Sequence, residues 1–163
     1  MLIDFTVNNR HIKLNTDPGR KLSDVLRKEF GYYSVNECCN TGRCGGCTVL
    51  RNNLPVPACM ISMFSVKGSE IFTFEWIEQT KEYDTISKVL DAYGCRFCDF
   101  CHSGKMITIY AYLKSNPKPE KYDILEAMSG NSCSCTDLQS MADGIRLAAS
   151  AIKRGKSVAG RHR

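Results

Sequence analysis

Cys39-Asn40-Thr41-Gly42-Arg43-Cys44-Gly45-Gly46-Cys47 places three ligand-spaced thiols in nine residues, and Cys59 adds a fourth after eleven more. The spacing C-x4-C-x2-C with a distant fourth cysteine is that of a plant-type [2Fe–2S] ligand set. Three sulfurs aimed inward from so tight a loop need left-handed turns, which Gly42, Gly45 and Gly46 permit. Such a loop also aims backbone N–H groups at the sulfurs, which stabilises a reduced and more negative cluster. Arg43 adds positive charge nearby. Structural zinc is the competing reading, but its four thiolates usually come from two C-x2-C knuckles. Here one pair is spaced by four, and Cys59 is expected on a strand. Cys38 replaces Cys39 only if the first spacing grows to five, so it is read as a bystander.

The flanks of this loop alternate. Ile3, Phe5 and Val7 share one face, Asn8-Asn9 is a turn, and Ile12 and Leu14 follow, which predicts a β-hairpin. Leu22, Val25, Leu26 and Phe30 have helical spacing, with Gly31 as a stop. Beyond the loop, Thr48-Val49-Leu50, the turn Asn52-Asn53, and Val56 to Cys59 predict a second hairpin, and Ile71 to Phe74 a last strand. These elements describe a small α+β domain over residues 1–76. The polar stretch around 77–84 reads as a linker. Residues 85–163 read as helical: Ile86, Val89, Leu90 and Tyr93; Met106, Ile109, Tyr110 and Leu113, stopped by Asn116-Pro117-Lys118-Pro119; Tyr122 to Met128; and a helix begun by Thr136-Asp137 with Leu138, Met141, Ile145 and Ala148 inside. Four helices in so short a segment make a small bundle. Each half is small enough to need a staple, and each carries metal-binding residues.

The second cysteine group is Cys95, Cys98, Cys101, Cys133 and Cys135. C-x2-C-x2-C opens a bacterial [4Fe–4S] run, but Lys105 stands where the next cysteine belongs. Cys98 to His102 spells C-x-x-C-H, the covalent haem motif, which would need an exported chain; His102 is read as a helix-start polar residue. Ser103-Gly104-Lys105 lacks the rest of a P-loop. The distant pair Cys133-Ser134-Cys135 sets the register. A C-x2-C facing a C-x-C fits two iron ions more easily than one small zinc ion, so Cys98, Cys101, Cys133 and Cys135 are the second candidate set.

Ten cysteines in 163 residues is about 6%, below the 8–10% of short secreted disulfide scaffolds. Met1 to Phe5 does not open like a secretory signal, and no apolar run reaches the length of a membrane span. The expected compartment is the reducing cytoplasm. The formal charge is +5; two diiron–tetrathiolate units at about −2 each would bring it to about +1. No basic stripe interleaved with aromatics suggests nucleic acid. Lys153, Arg154, Lys156, Arg161 and Arg163 read as a solvated tail. Trp76 reads as core near the joint of the halves.

The chain resembles the two-cluster iron–sulfur subunits and domains of the molybdenum hydroxylases: xanthine dehydrogenase, aldehyde oxidoreductase, aerobic carbon monoxide dehydrogenase, nicotinate dehydrogenase and relatives. The matching residues are Cys39 to Thr48, Cys59, Cys98-x2-Cys101 with Gly104, and Ser129 to Thr136. The resemblance implies a β-grasp ferredoxin domain holding one [2Fe–2S] cluster on Cys39, Cys44, Cys47 and Cys59. It implies a four-helix domain holding another on Cys98, Cys101, Cys133 and Cys135, with Cys135 also contacting a pterin. The implied function is one-electron relay from a molybdopterin-binding large subunit through both clusters to FAD on a medium subunit or another acceptor, with no substrate chemistry on this chain. Xanthine dehydrogenase-like is the leading reading; a free-standing ferredoxin-like carrier is the alternative. Phe97 stands where the family has Gln. Ser134 stands where it has Arg, and on electrostatic grounds the lost charge predicts a lower potential at the second cluster.

Overall fold

A computed structural model describes residues 1–159, with side chains as far as residue 155. The N-terminal alternation forms β1 (Leu2–Val7) and β2 (Arg10–Asn15), paired antiparallel from Leu2 opposite Asn15 to Val7 opposite Arg10. Both turn residues are left-handed, with φ of 48° at Asn8 and 65° at Asn9, as a two-residue hairpin of right-handed twist requires. The Asn52-Asn53 turn repeats this between β3 (Thr48–Arg51) and β4 (Leu54–Pro57). A short β5 (Glu70–Phe72) runs parallel to β1 and antiparallel to β3, closing a five-stranded mixed sheet in the order β2-β1-β5-β3-β4.

α1 (Leu22–Lys28) lays Leu22, Val25 and Leu26 against Ile3, Phe5, Val7, Val49 and Ile71. Its end follows the expected chemistry: Gly31 has φ +70°, and the Tyr32 N–H reaches back to the Leu26 carbonyl at 3.0 Å, which satisfies a carbonyl the helix would otherwise orphan. The architecture is α+β, with a helix packed on a mixed sheet and further helices beyond it.

Two expected strand ends are turns instead. Cys59 lies in a 3-10 turn, Ala58–Met60, and not on the strand. Phe74 opens a short helix, α2 (Phe74–Ile77), rather than ending β5. Thr73 marks that change: its N–H donates to Asn8 Oδ1 at 2.9 Å and its hydroxyl accepts from Asn8 Nδ2 at 3.0 Å, tying the helical half to the first hairpin turn. In the stretch expected as a linker, Ile77 is buried in the helical core and Thr80 caps α3 (Lys81–Ala92) by accepting the Tyr83 N–H at 3.2 Å. Its polar residues are the wet side of helical structure, which composition does not distinguish from a linker.

α4 (His102–Ser115) is the axis of the helical half. It is buried on every side from Ser103 to Ala111, as a helix without a polar face should be. α3, α5 (Lys121–Met128) and α6 (Leu138–Ala159) pack with it through Ile86, Leu90, Met106, Ile109, Tyr110, Ile124, Met141 and Ile145. Leu138, expected inside, is 60% exposed: α6 starts there, before its buried stripe begins at Met141. The Ser140 N–H and hydroxyl both donate to Asp137, an N-cap interaction. Trp76 is half-buried against Phe72, with ring centroids 4.3 Å apart. Lys153 and Arg154 are exposed; the Lys156 side chain, Arg161 and Arg163 lie outside the described residues.

β3 joins the halves. Successive side chains on a strand face opposite ways, so Val49 enters the core under α1 while Leu50, with Phe72, enters the helical core. Close backbone packing seals the contact. A Cβ on Gly104 in α4 would collide with the Gly45 carbonyl oxygen of the first cysteine loop. Gly104→Ala is therefore expected to destabilise the chain by about 1–3 kcal/mol, read as a lower urea midpoint from Trp76 fluorescence. An unchanged midpoint would contradict the close approach.

Candidate metal centres

The β3–β4 hairpin solves the long spacing in the first motif. Cys47 immediately precedes β3 and Cys59 follows β4, and Thr48 pairs with Pro57, so eleven residues of sequence fold back and bring the two thiols together. The Cys59 N–H donates to Cys47 Sγ at 3.5 Å. Across the loop, the N–H groups of Thr41 and Cys44 donate to Cys39 Sγ at 3.5 and 3.4 Å. Gly42 and Gly45 have φ +75°, as expected. Gly46 does not, and the third left-handed residue is Asn40 at φ 54°. Gly46 instead sits in a close space, where a Cβ would meet the Phe100 ring at 3.3 Å and the Asn36 Cβ at 3.4 Å.

These surroundings split the thiols. The Thr41 and Cys44 N–H groups hold the Cys39 thiol down at about 5, while burial pushes Cys47 up to about 12. Cys38 is exposed.

Among the described residues, the second set alone brings three or more ligand atoms within reach of one metal ion, and the four sulfurs of the first set are not gathered in this way. Cys101 is the N-cap of α4, Cys98 precedes it by one turn, and Cys133 and Cys135 come from the α5–α6 loop. The four sulfurs lie within 4.8 Å of one another. Cys98 is 3.5 Å from Cys101 and 3.6 Å from Cys133, and Cys101 is 3.2 Å from Cys135. All four are free thiols. The Cys98 N–H donates to Cys135 Sγ at 3.4 Å, and the Thr136 hydroxyl donates to the Arg96 carbonyl, pinning the two cysteine loops together. Burial pushes the Cys101 thiol up. Burial works the same way on Cys135, but the Cys98 N–H, the neighbouring thiols and the Lys105 charge outweigh it and bring Cys135 down to about 6. Such a donor set, four sulfurs with N–H groups and a cation turned toward them, suits a metal centre whose thiolate ligands leave it net negative.

Cys95 stands apart. It is buried and donates to the Ser140 carbonyl at 3.1 Å, against Gly144 of α6, so its thiol packs α6 in place. His102 begins α4 and sits edge-on to Phe74, with centroids 5.4 Å apart; burial lowers its pKa. Two further contributors are not cysteines. Asn131 buttresses the first loop, where a Cβ on Gly45 would strike its Oδ1, and donates to Thr108 at 3.2 Å. Lys105 is 1% exposed, with its ammonium 2.8 Å from the Cys133 carbonyl oxygen. The available signal was its place four residues after Cys101, on the same helix face, in an otherwise apolar stretch.

Sulfur-rich sites on an α+β scaffold suit an iron–sulfur protein, and comparison with known proteins identifies one. Residues 73–146 match a family described as a [2Fe-2S] binding domain. The chain is 34% identical over 146 residues to the nicotinate dehydrogenase small FeS subunit of Eubacterium barkeri, covering 90% of this chain and 93% of that one. It is 34% identical over 150 residues to a probable xanthine dehydrogenase subunit of Bacillus subtilis, covering 92% and 84%. The structure of quinoline 2-oxidoreductase from Pseudomonas putida 86 superposes with a TM-score of 0.83 at 30% identity, over 95% of this chain and 97% of that chain. Aldehyde oxidoreductase from Desulfovibrio gigas superposes at 0.84 and 28% identity, although the match spans 17% of that longer chain. The chain belongs to the family of small iron–sulfur subunits of the molybdenum hydroxylases, and is an iron–sulfur component of an oxidoreductase.

In the metal-free chain at pH 7, a thiol near 5 is ionised and one near 12 is not. Iodoacetamide should therefore modify Cys39 well ahead of Cys47, and its rate at Cys39 should fall only as pH drops toward about 5. Peptide mass spectrometry reads the order; equal rates at both sites would contradict the asymmetry.

Proposed function

We propose that this chain relays single electrons inside a molybdenum hydroxylase, from a molybdopterin site on a large partner subunit, through two [2Fe–2S] centres, toward FAD on a medium subunit. The carrying observation is the convergence of the Cys98, Cys101, Cys133 and Cys135 sulfurs. In this reading Cys39, Cys44, Cys47 and Cys59 hold the other centre, and Cys135, exposed at the rim, also meets the pterin. A [2Fe–2S] cluster with four thiolate ligands supplies one-electron transfer and has no open position for substrate.

The chain's own residues hold and insulate. The N–H groups of Thr41, Cys44, Cys59 and Cys98 point at ligand sulfurs, where they offset negative charge. The first cysteine loop abuts Gly104, three residues past Cys101, and Asn131, two before Cys133, so the two sets sit on packed neighbours. Among the described residues no helix is long and apolar enough to cross a membrane. Ten free thiols suit the cytoplasm. The substrate pocket falls on the large subunit; the reading for the complex is xanthine dehydrogenase-like.

Purified chain should contain about four irons and four acid-labile sulfides, and dithionite should produce two distinct S = ½ EPR signals. Zinc without sulfide would sink the reading. Cys38→Ser should leave iron content unchanged, whereas Cys39→Ser and Cys133→Ser should each lose about half of it. Loss of iron in Cys38→Ser would move the ligand register by one residue.

A further inference from the structure

Lys105 is the inner-facing charge of α4. Its ammonium donates to the Cys133 carbonyl at 2.8 Å, lies 3.8 Å from Cys135 Sγ, and sits 5.1 Å from the centroid of the Phe97 ring. Among the described residues no carboxylate lies within ion-pairing distance of it. A buried cation without a partner is costly, and a lysine kept at 1% exposure needs an anion. The anionic charge within its reach is the second set of thiolates. The aromatic face of Phe97 adds favourable electrostatics and closes the ammonium off from water on that side.

On the proposed two-centre function, we infer that Lys105 is the resident counter-cation of the Cys98–Cys101–Cys133–Cys135 centre and raises its reduction potential. Reduction adds one electron, from the molybdenum site or from dithionite in a test, and takes one ferric ion to ferrous. The centre passes from a net charge of about −2 to about −3, with no bond made or broken and no proton taken up. A fixed positive charge next to a ligand sulfur favours the more negative state, and does so more strongly in a buried setting than at the surface. It acts in addition to the effect expected from Ser134. Residue 134 is exposed, where solvent and salt screen a charge; Lys105 delivers its charge from the protein side. Lys105 is thus a tuning residue, which acts on the centre through its field and through the loop carbonyl it holds.

The test is a reductive titration of the iron-loaded full chain, followed by EPR, in Lys105→Met and Lys105→Gln. Gln keeps an N–H donor for the Cys133 carbonyl and loses the charge; Met loses both. Both variants should make the second centre at least tenfold harder to reduce, a shift of about 59 mV for one electron, while the first centre moves less than twofold. A wild-type potential in Lys105→Gln would assign the side chain a purely structural hydrogen bond and overturn the inference. An equal shift at both centres would overturn it too. If neither variant keeps its second centre, pulsed EPR on wild-type chain carrying lysine labelled with nitrogen-15 at Nζ decides. A nitrogen-15 coupling to the reduced second centre is expected, and its absence would overturn the inference. Loss of the second EPR signal in the wild type itself is a different failure: it removes the two-centre function, and this inference with it.

Discussion

Everything in this molecule answers to the cost of gathering negative sulfur in a protein interior. Four sulfurs within 4.8 Å of one another repel as thiolates, and burial opposes the ionisation of each. The fold meets that cost with backbone donors and one buried side-chain cation. Backbone N–H groups point at Cys39, Cys47 and Cys135, and Lys105 stands behind Cys135 and Cys133. In the first set the same opposition splits the acidities, with Cys39 held near 5 by N–H groups and Cys47 pushed near 12 by burial.

Two different devices deliver the sulfurs. In the first set a hairpin register returns Cys59 to Cys47. In the second, the start of a buried helix and the loop entering α6 are pressed together by the shared core of α3, α4, α5 and α6. The two devices are not independent, because β3 belongs to both cores through Val49 and Leu50, and glycine lets the first loop lie directly on α4. Rigid contact between two sulfur sites is what electron relay asks of a protein, since it fixes their separation without any moving part.

Much of this was legible in the sequence because local physics wrote it. Strict alternation marked Ile3, Phe5 and Val7, paired asparagines marked both tight turns, and a proline-rich stop ended α4. The C-x2-C and C-x-C spacings pointed to Cys98, Cys101, Cys133 and Cys135, whose sulfurs lie together in the structure, since sulfur geometry restricts spacing more than packing does. What stayed hidden was set by tertiary contact. Gly46 looks like another hinge but lacks a left-handed φ and lies close under Phe100. Cys95 is surplus to the second set in the sequence, and only the fold shows its thiol bonded to the Ser140 carbonyl of α6. Phe74 continues the β-strand pattern but turns helical where Thr73 locks to Asn8. Lys105 looked like a broken nucleotide motif, and only the packed helix shows its ammonium beside the sulfurs.

Anomalous diffraction at the iron edge from crystals of the iron-loaded chain tests the central claim most directly. The account predicts two separate paired-iron peaks, one enclosed by Cys39, Cys44, Cys47 and Cys59 and one by Cys98, Cys101, Cys133 and Cys135. A single metal peak at either set, or a peak that persists only at the zinc edge, would contradict it.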